Sequence, residues 1–421
     1  MVKPYNTKEE RIYRVFTDEL EEWSRTNKTP TMGNQDIRYY LDLQRERLNR
    51  RNLRMEYQMK LRGEHLDNIY SLTYKDEVYT NMRLYSHYLQ KTAFYRGDKV
   101  LYEREDTQML FQTITKMESN RPEKMYCCPN CGAASPIGVL LEGCPYCHTR
   151  FLMSELFPKV TGYYFEHDFF MNEKEGKSKA MRWIFGGILA AFLISAPSAA
   201  LSGGLIGLLI AFLGSIPLGA FLGYFTMCIV MLFQLVGFAA QKASRLPNVA
   251  GTKRRLLRLL QPYDRSFSYE HFSGKIVNLL KIMIFSENIW DTPVYEGNGT
   301  LPDFSYIVES VYQGSMGLNK GWIDNGYCYL DLDVYMSDIY DAEKMYRKND
   351  IFRIVVSKTV KKEADLGFSI KKVQCPGCGG SFDATRKRNC PYCGNPYHLG
   401  MDDWVVLSIQ RRGDKKIIRN S

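Results

Sequence analysis

Between residues 183 and 241 the chain carries no Asp, Glu, Lys or Arg. A membrane-spanning helix takes about 20 apolar residues. The stretch therefore holds two spans with a turn, or three short ones. Its flanks decide between them. Lys174, Lys177, Lys179 and Arg182 precede it, and Lys242, Arg245, Lys253, Arg254, Arg255 and Arg258 follow it. Basic flanks stay on the cytoplasmic side, so both ends are expected inside and the number of spans even. Four would not fit. The prediction is a transmembrane hairpin of two helices with its turn between Pro197 and Pro217, in a multi-pass protein of the cell membrane with both termini cytoplasmic.

The stretch is rich in glycine, at Gly186, Gly187, Gly203, Gly204, Gly207, Gly214, Gly219, Gly223 and Gly237. Small residues let membrane helices approach closely. Packing within one hairpin is the favoured use; self-association into a homo-oligomer, or a conduit, is the alternative. The lack of charge along the spans argues against ion or proton transport.

A chain of 421 residues has room for two or three domains. The net charge of +10 is concentrated beside the apolar stretch, which favours an anionic lipid surface over nucleic acid as the partner. Residues 1–14 are polar and charged, without the apolar core of a signal peptide, so the N-terminal arm is expected to stay in the cytoplasm.

The two arms read as α+β. Thr7 and Glu10 form a capping box, and Ile12, Val15, Phe16, Leu20 and Trp23 mark one helix face. A second helix is expected from Gln35 to Leu61. Strands follow, with alternation at Tyr70, Leu72, Tyr74 and at Tyr85, His87, Leu89, a turn at Arg96-Gly97-Asp98 and a strand over 107–116. After the apolar stretch, 266–285 reads as a helix, and 303–311 and 327–335 as strands. Lys348-Asn349-Asp350 reads as a turn before a strand over 351–360, and 404–410 as a last strand. Acid pairs such as Asp331 with Asp333, or Asp402 with Asp403, read as exposed polar alternation. Helices, strands and a cysteine motif thus occur twice, which suggests an internal duplication.

Eight of the eleven cysteines form four Cys-x-x-Cys pairs. One group is Cys128, Cys131, Cys144 and Cys147; the other is Cys375, Cys378, Cys390 and Cys393. Two residues between cysteines let both thiolates of a tight turn face one ion, and two such turns complete a tetrahedral sulfur shell. The pattern predicts two zinc ribbons holding two structural zinc ions, in a reducing compartment. A closed four-sulfur shell leaves no position for water or substrate. Cys127, Cys228, Cys328, His148 and His398 are surplus to these shells. Arg386, Lys387 and Arg388 crowd the second ribbon's loop, but the first loop, 132–143, has no Lys or Arg. Protein contacts are therefore preferred to nucleic-acid reading.

Just past the apolar stretch, Lys253, Arg254, Arg255 and Arg258 alternate with Leu256, Leu257, Leu259 and Leu260. The segment reads either as an interfacial helix, with leucines in the acyl boundary and the four cations on lipid phosphates, or as a linker helix packed on the following domain. No phosphate-cradling loop, nucleophile elbow or histidine metal spacing is present in the sequence, so a non-enzyme is expected.

The helix 266–285, the polar strands to Val360 and the closing strand Asp403-Trp404-Val405-Val406-Leu407 resemble the Tim-44-like domain family. The resemblance implies a cone of curved antiparallel sheet with helices against it, similar to the nuclear transport factor family. The ribbon over 375–393 before that last strand, and the stretch Cys144-Pro-Tyr-Cys147 with Leu156-Phe-Pro-Lys-Val160, look like zinc-ribbon Tim-44-like membrane proteins of Gram-positive anaerobic bacteria. The expected domains are 1–124 (α+β), 125–160 (first zinc ribbon), 183–241 (transmembrane hairpin), 242–262 (basic juxtamembrane segment) and 263–412 (Tim-44-like, with the second ribbon inserted at 375–393). The expected function is a membrane-anchored adaptor or scaffold that recruits protein partners or anionic lipid, with a link to protein transport. A small-ligand-binding or enzymatic cone, and a membrane-tethered nucleic-acid-binding regulator, are the alternatives.

Overall fold

The computed structural model describes residues 8–26, 28–62, 70–75, 79–117, 123, 125–128, 131, 133–148, 158–167, 173–245, 249–264, 267–288, 292–360, 372–384, 386–401 and 403–412. Thr7 and Asp402 lie outside them. The chain divides into two compact units, residues 168–247 and the remainder. The fold is α+β, with antiparallel sheets and helices.

In the first arm, α1 (Lys8–Arg25) buries Ile12, Phe16, Leu20 and Trp23 on one face, and α2 (Gln35–Arg50) starts at an Asn34 cap whose side chain accepts from Ile37 N–H. The helix expected to reach Leu61 stops at Arg50. Asn52 takes a left-handed φ of 53°, and β1 (Arg54–Leu61) follows with Met55 and Tyr57 buried in alternation. Helical spacing had been read into a run of Arg and Glu that carries no helix-specific apolar stripe. The strands β2 (Tyr70–Lys75), β3 (Tyr79–Arg96), β4 (Lys99–Met117) and β7 (Lys159–His167) complete a sheet ordered β1-β3-β4-β7, with β2 also on β3. Gly97, at φ 59°, turns β3 into β4.

Between β4 and β7 lie a small hairpin, β5 (Met125–Cys127) with β6 (Ala134–Pro136), and the short helix α3 (Ile137–Glu142). The apolar helix α4 (Glu173–Arg245) forms the other unit. After it come α5 (Thr252–Leu260) and α6 (Tyr269–Phe285), then β8 (Ile307–Asp324), β9 (Tyr327–Tyr340), β10 (Tyr346–Thr359), the hairpin β11 (Lys372–Gln374) with β12 (Ser381–Asp383), and β13 (Val405–Arg411). The second sheet is ordered β13-β10-β9-β8. No turn forms at Lys348-Asn349-Asp350, which pair with Asp338, Ser337 and Met336 inside the sheet. Asp350 is buried there, paired with Lys348 at 2.7 Å and accepting from the Tyr340 hydroxyl. The buried carboxylate is satisfied in this way, while Lys348 and Asn349 stay exposed at the sheet's surface.

Asp331, Asp333 and Asp403 are buried as well, contrary to the exposed alternation expected of them. Arg353 Nε donates to Asp331 at 2.9 Å, and Arg412 pairs with Asp333 at 2.8 Å. The ammonium of Lys275 on α6 lies 2.6 Å from Asp36 at the start of α2 and 2.6 Å from Asp403 before β13. Arg47 of α2 donates to the carbonyls of Phe304 and Ile307. The arms on either side of the apolar unit thus share one core, in which Phe16, Leu41 and Leu110 join Leu280, Leu332 and Val406.

The two arms follow the same path. Each cysteine hairpin is inserted before the last strand of its sheet. Each last strand carries a register shift, opposite Thr113/Ile114 in one sheet and Val355/Val356 in the other. In each, a residue that follows a helix makes a parallel bridge to a valine of the last strand, Gly33 to Val160 and Tyr295 to Val406.

Residues 181–230 of α4 are long and apolar enough to cross a membrane. Many of their large apolar side chains are exposed, Leu201 to 91%, and together they make a long apolar surface. At Gly204, φ 55° and ψ −134° break the helix. A methyl group on Gly187 would lie 2.8 Å from the Gly223 Cα. In a straight helix these residues would be roughly 50 Å apart, so the chain doubles back at Gly204, and Phe192 meets Phe212 edge to face across the fold at 5.6 Å.

Candidate metal centres and the basic helix

The first pair of each cysteine group lies in the loop of a two-stranded hairpin. Cys128 N–H donates to the Ala133 carbonyl at 2.8 Å, and Cys375 N–H to the Gly380 carbonyl at 2.9 Å, closing two turns of one design. The second pairs match in the same way: His148 N–H reaches the Cys144 carbonyl at 2.9 Å and Gly394 N–H the Cys390 carbonyl at 2.9 Å. Among the described residues, the three that follow a second cysteine are left-handed, with φ of 73° at Gly379, 77° at Gly394 and 56° at His148. Glycine takes this conformation without strain, and His148 shows that the turn demands it even of a residue with a Cβ.

These turns bring together the cysteines that the spacing predicted. Within each group the sulfurs all lie within 4.8 Å of one another. Cys128 and Cys147 are separated by 3.7 Å, Cys131 and Cys144 by 3.6 Å, Cys375 and Cys393 by 3.5 Å, and Cys378 and Cys390 by 3.6 Å. Zinc–sulfur bonds of about 2.3 Å in a tetrahedron place sulfurs about 3.8 Å apart. The donor sets therefore fit a tetrahedral metal ion. Burial and the neighbouring sulfurs push the Cys131 thiol up to about 12, while backbone N–H groups of Cys378 and Gly377 lower Cys375 to about 7. A bound cation would hold all four sulfurs as thiolates.

The two centres differ in their surroundings. Cys375 and Cys390 belong to the main core, whereas Cys128 and Cys144 form a small cluster with Leu140. The second ribbon's loop is docked on α2: Arg386 pairs with Asp42 at 3.1 Å and lies over the Tyr39 ring, and Arg388 donates to the Tyr295 carbonyl. Two of that loop's three cations are thus engaged by protein. On the first ribbon, Met125, Val139 and Tyr146 are exposed.

The basic segment is the helix α5. Leu256 and Leu260 are buried, and Leu259 packs where Gly321 of β8 leaves room. The leucines are therefore covered by protein, and the expectation that they enter an acyl boundary gives way to the packed-helix alternative. The four cations, Lys253, Arg254, Arg255 and Arg258, remain exposed. Lys253 pairs with Glu270 at 2.7 Å, and Thr252 accepts from Leu318 N–H at 3.0 Å, fixing the helix to the sheet.

Sequence reasoning missed a polar interior. Glu309 is buried, accepts from the Tyr57 hydroxyl, and is pushed by burial up to about 7. Lys281 is buried against the rings of Tyr40 and Tyr163 at 4.7 and 4.8 Å and is lowered by burial to about 8. The apolar side of α6, Phe272, Ile276, Leu279, Leu280 and Met283, put Lys281 on the opposite face, but the helix is buried on nearly all sides; β8 gave no period that turned Glu309 inward.

Comparison with family models, with curated proteins and with solved structures finds no match.

Proposed function

We propose that the protein is a non-catalytic, membrane-anchored adaptor: a cytoplasmic body with two structural zinc ions, held at the bilayer by a transmembrane hairpin, that docks protein partners and anionic lipid. The observation that carries this reading is the insertion of the apolar unit into one core. A core built from residues 1–167 and 248–421 cannot straddle a bilayer, which supports a chain that leaves and returns on one side. The reversal at Gly204 supplies a way to do so. In the chain α5 begins at Thr252, soon after α4 ends at Arg245, so its cations follow the apolar stretch closely in sequence. Arg254, Arg255 and Arg258 then act by charge, each contributing about 1 kcal/mol near an anionic surface, while Lys253 is already paired with Glu270. Zinc is the natural ion for four thiolates in a closed shell. The Tim-44-like resemblance agrees with docking at a membrane. The nucleic-acid alternative is weakened by the engagement of Arg386 and Arg388 with protein.

Photo-crosslinking of the full chain in its own membrane tests the proposal. A photoreactive residue at Arg254 or Arg258 is expected to capture anionic lipid, and one at Tyr146 a reproducible protein partner. Capture of neither lipid nor protein at these positions would overturn the adaptor.

A further inference from the structure

Between the two sheets of the body is a small cleft where β3 and β4 face β8, β9 and β10. Glu309, Gln90, Tyr102, Arg104, Ser337 and Arg347 line it. Its enclosed part measures about 30 Å³, room for a group or two of water's size. Glu309 and Gln90 are each only 4% exposed. The Gln90 carbonyl oxygen has no hydrogen-bond donor among the described residues. Glu309 accepts from Tyr57 and keeps further lone pairs. The buried end of the cleft is thus made of acceptors and calls for a donor.

The cations of the cleft are already engaged there by Asp106 and Ser337, which line it too. Arg104 is bound by Asp106, and Arg347 Nε donates to the Ser337 hydroxyl. Lys281 is stacked on Tyr40 and Tyr163 and does not line the cleft. Aromatic rings of Tyr102 and Phe165 form part of the wall, a surface that favours a cation. We propose that this cleft binds a primary ammonium group, carried by a small amine or amino acid, with Glu309 and Gln90 as its acceptors. An attached carboxylate would meet Arg347 at the same cleft. The site is independent of membrane docking.

The groups around Glu309 set the pH response: Tyr57 of β1, Tyr102, Arg104 and Asp106 of β4, Tyr163 of β7, Lys281 of α6, on which Asp338 of β9 also acts, and Arg347 of β10. Burial places the Glu309 carboxyl at about 7 and the Lys281 ammonium at about 8. As pH rises through this range Glu309 gains its charge and Lys281 loses its own, so both changes tighten amine binding.

Saturation-transfer NMR on the full-length protein in detergent, with methylammonium, glycine and acetate as probes, tests the site. A saturable signal is expected for methylammonium, glycine or both, stronger at pH 8 than at pH 6 as Glu309 ionises at about 7, and none for acetate. Methylammonium alone would indicate a free amine as the ligand; glycine alone would indicate an amino acid held through its carboxylate as well. Glu309→Gln is expected to abolish the signal, but it removes one of the two carboxylates that act on Lys281 and puts the fold at risk. Gln90→Leu has nearly the same shape and no charge, and should weaken binding about tenfold, with folding checked by circular dichroism. Absence of a saturable amine signal, an affinity unchanged in folded Gln90→Leu, or binding of acetate alone overturns the proposal.

Discussion

Lys275 draws a carboxylate from each arm of the chain into the core, Asp36 from one and Asp403 from the other. Removing one partner of such a group leaves charge buried without compensation, which costs about 3–5 kcal/mol. Lys275→Met is therefore expected to lower the melting temperature in detergent sharply, and Lys275→Met combined with Asp36→Asn and Asp403→Asn to recover part of the loss. An unchanged melting temperature for the single variant would sink the idea. Glu309 adds a pH dependence. Its folded value, about 7, lies above the ordinary 4.5, so the folded state holds its proton more tightly than the unfolded state. That contribution is fully present below pH 4.5 and is lost as pH rises through about 7, a change of about 3 kcal/mol. Glu309→Gln should flatten the stability profile across this window in chemical denaturation; an unaltered slope would assign it to other groups. Neither role was legible in the sequence. Asp331, Asp333 and Asp403 stand in apolar alternation, and what distinguishes a solvated face from a buried ion pair is a partner far away in the chain.

Among the elements, the cysteine hairpins were the most legible, because Cys-x-x-Cys ties chemistry to a turn only a few residues long. Their surroundings were not legible, and they make the two centres unequal. Cys375→Ser should destabilise the whole body by several kcal/mol, since its centre is part of the main core. Cys128→Ser should release its own metal and leave the body's melting transition nearly unmoved, since its centre has a core of its own. Elemental analysis should find two zinc ions in the parent and one in each variant; equal melting shifts would contradict the difference in docking. The β8–β9 turn was readable but went unread. Asn325 and Gly326, at φ 49° and 79°, make the favoured two-residue hairpin loop. The end of α2 was harder, because β1 begins with charged residues and its buried face, Met55 and Tyr57, is short.

For the molecule as a whole, the sequence separated the arms into domains, and the structure joins them. Hydropathy marks the apolar stretch clearly but cannot tell whether the segments on either side belong to one core. The shared core makes a firm topological prediction. Reporter fusions after Ser421 and before Met1 should both report the cytoplasmic side; opposite sides would refute the membrane hairpin. The same connectivity governs the order of synthesis. Asp36 and Lys275 are 239 residues apart. At about 5–20 residues per second, the first arm waits on the order of 10 to 50 s for its partner to leave the ribosome. Throughout that interval its long strands lack the second arm that completes their core. The apolar stretch is made before that partner, so on the membrane reading proposed above insertion would precede completion of the core.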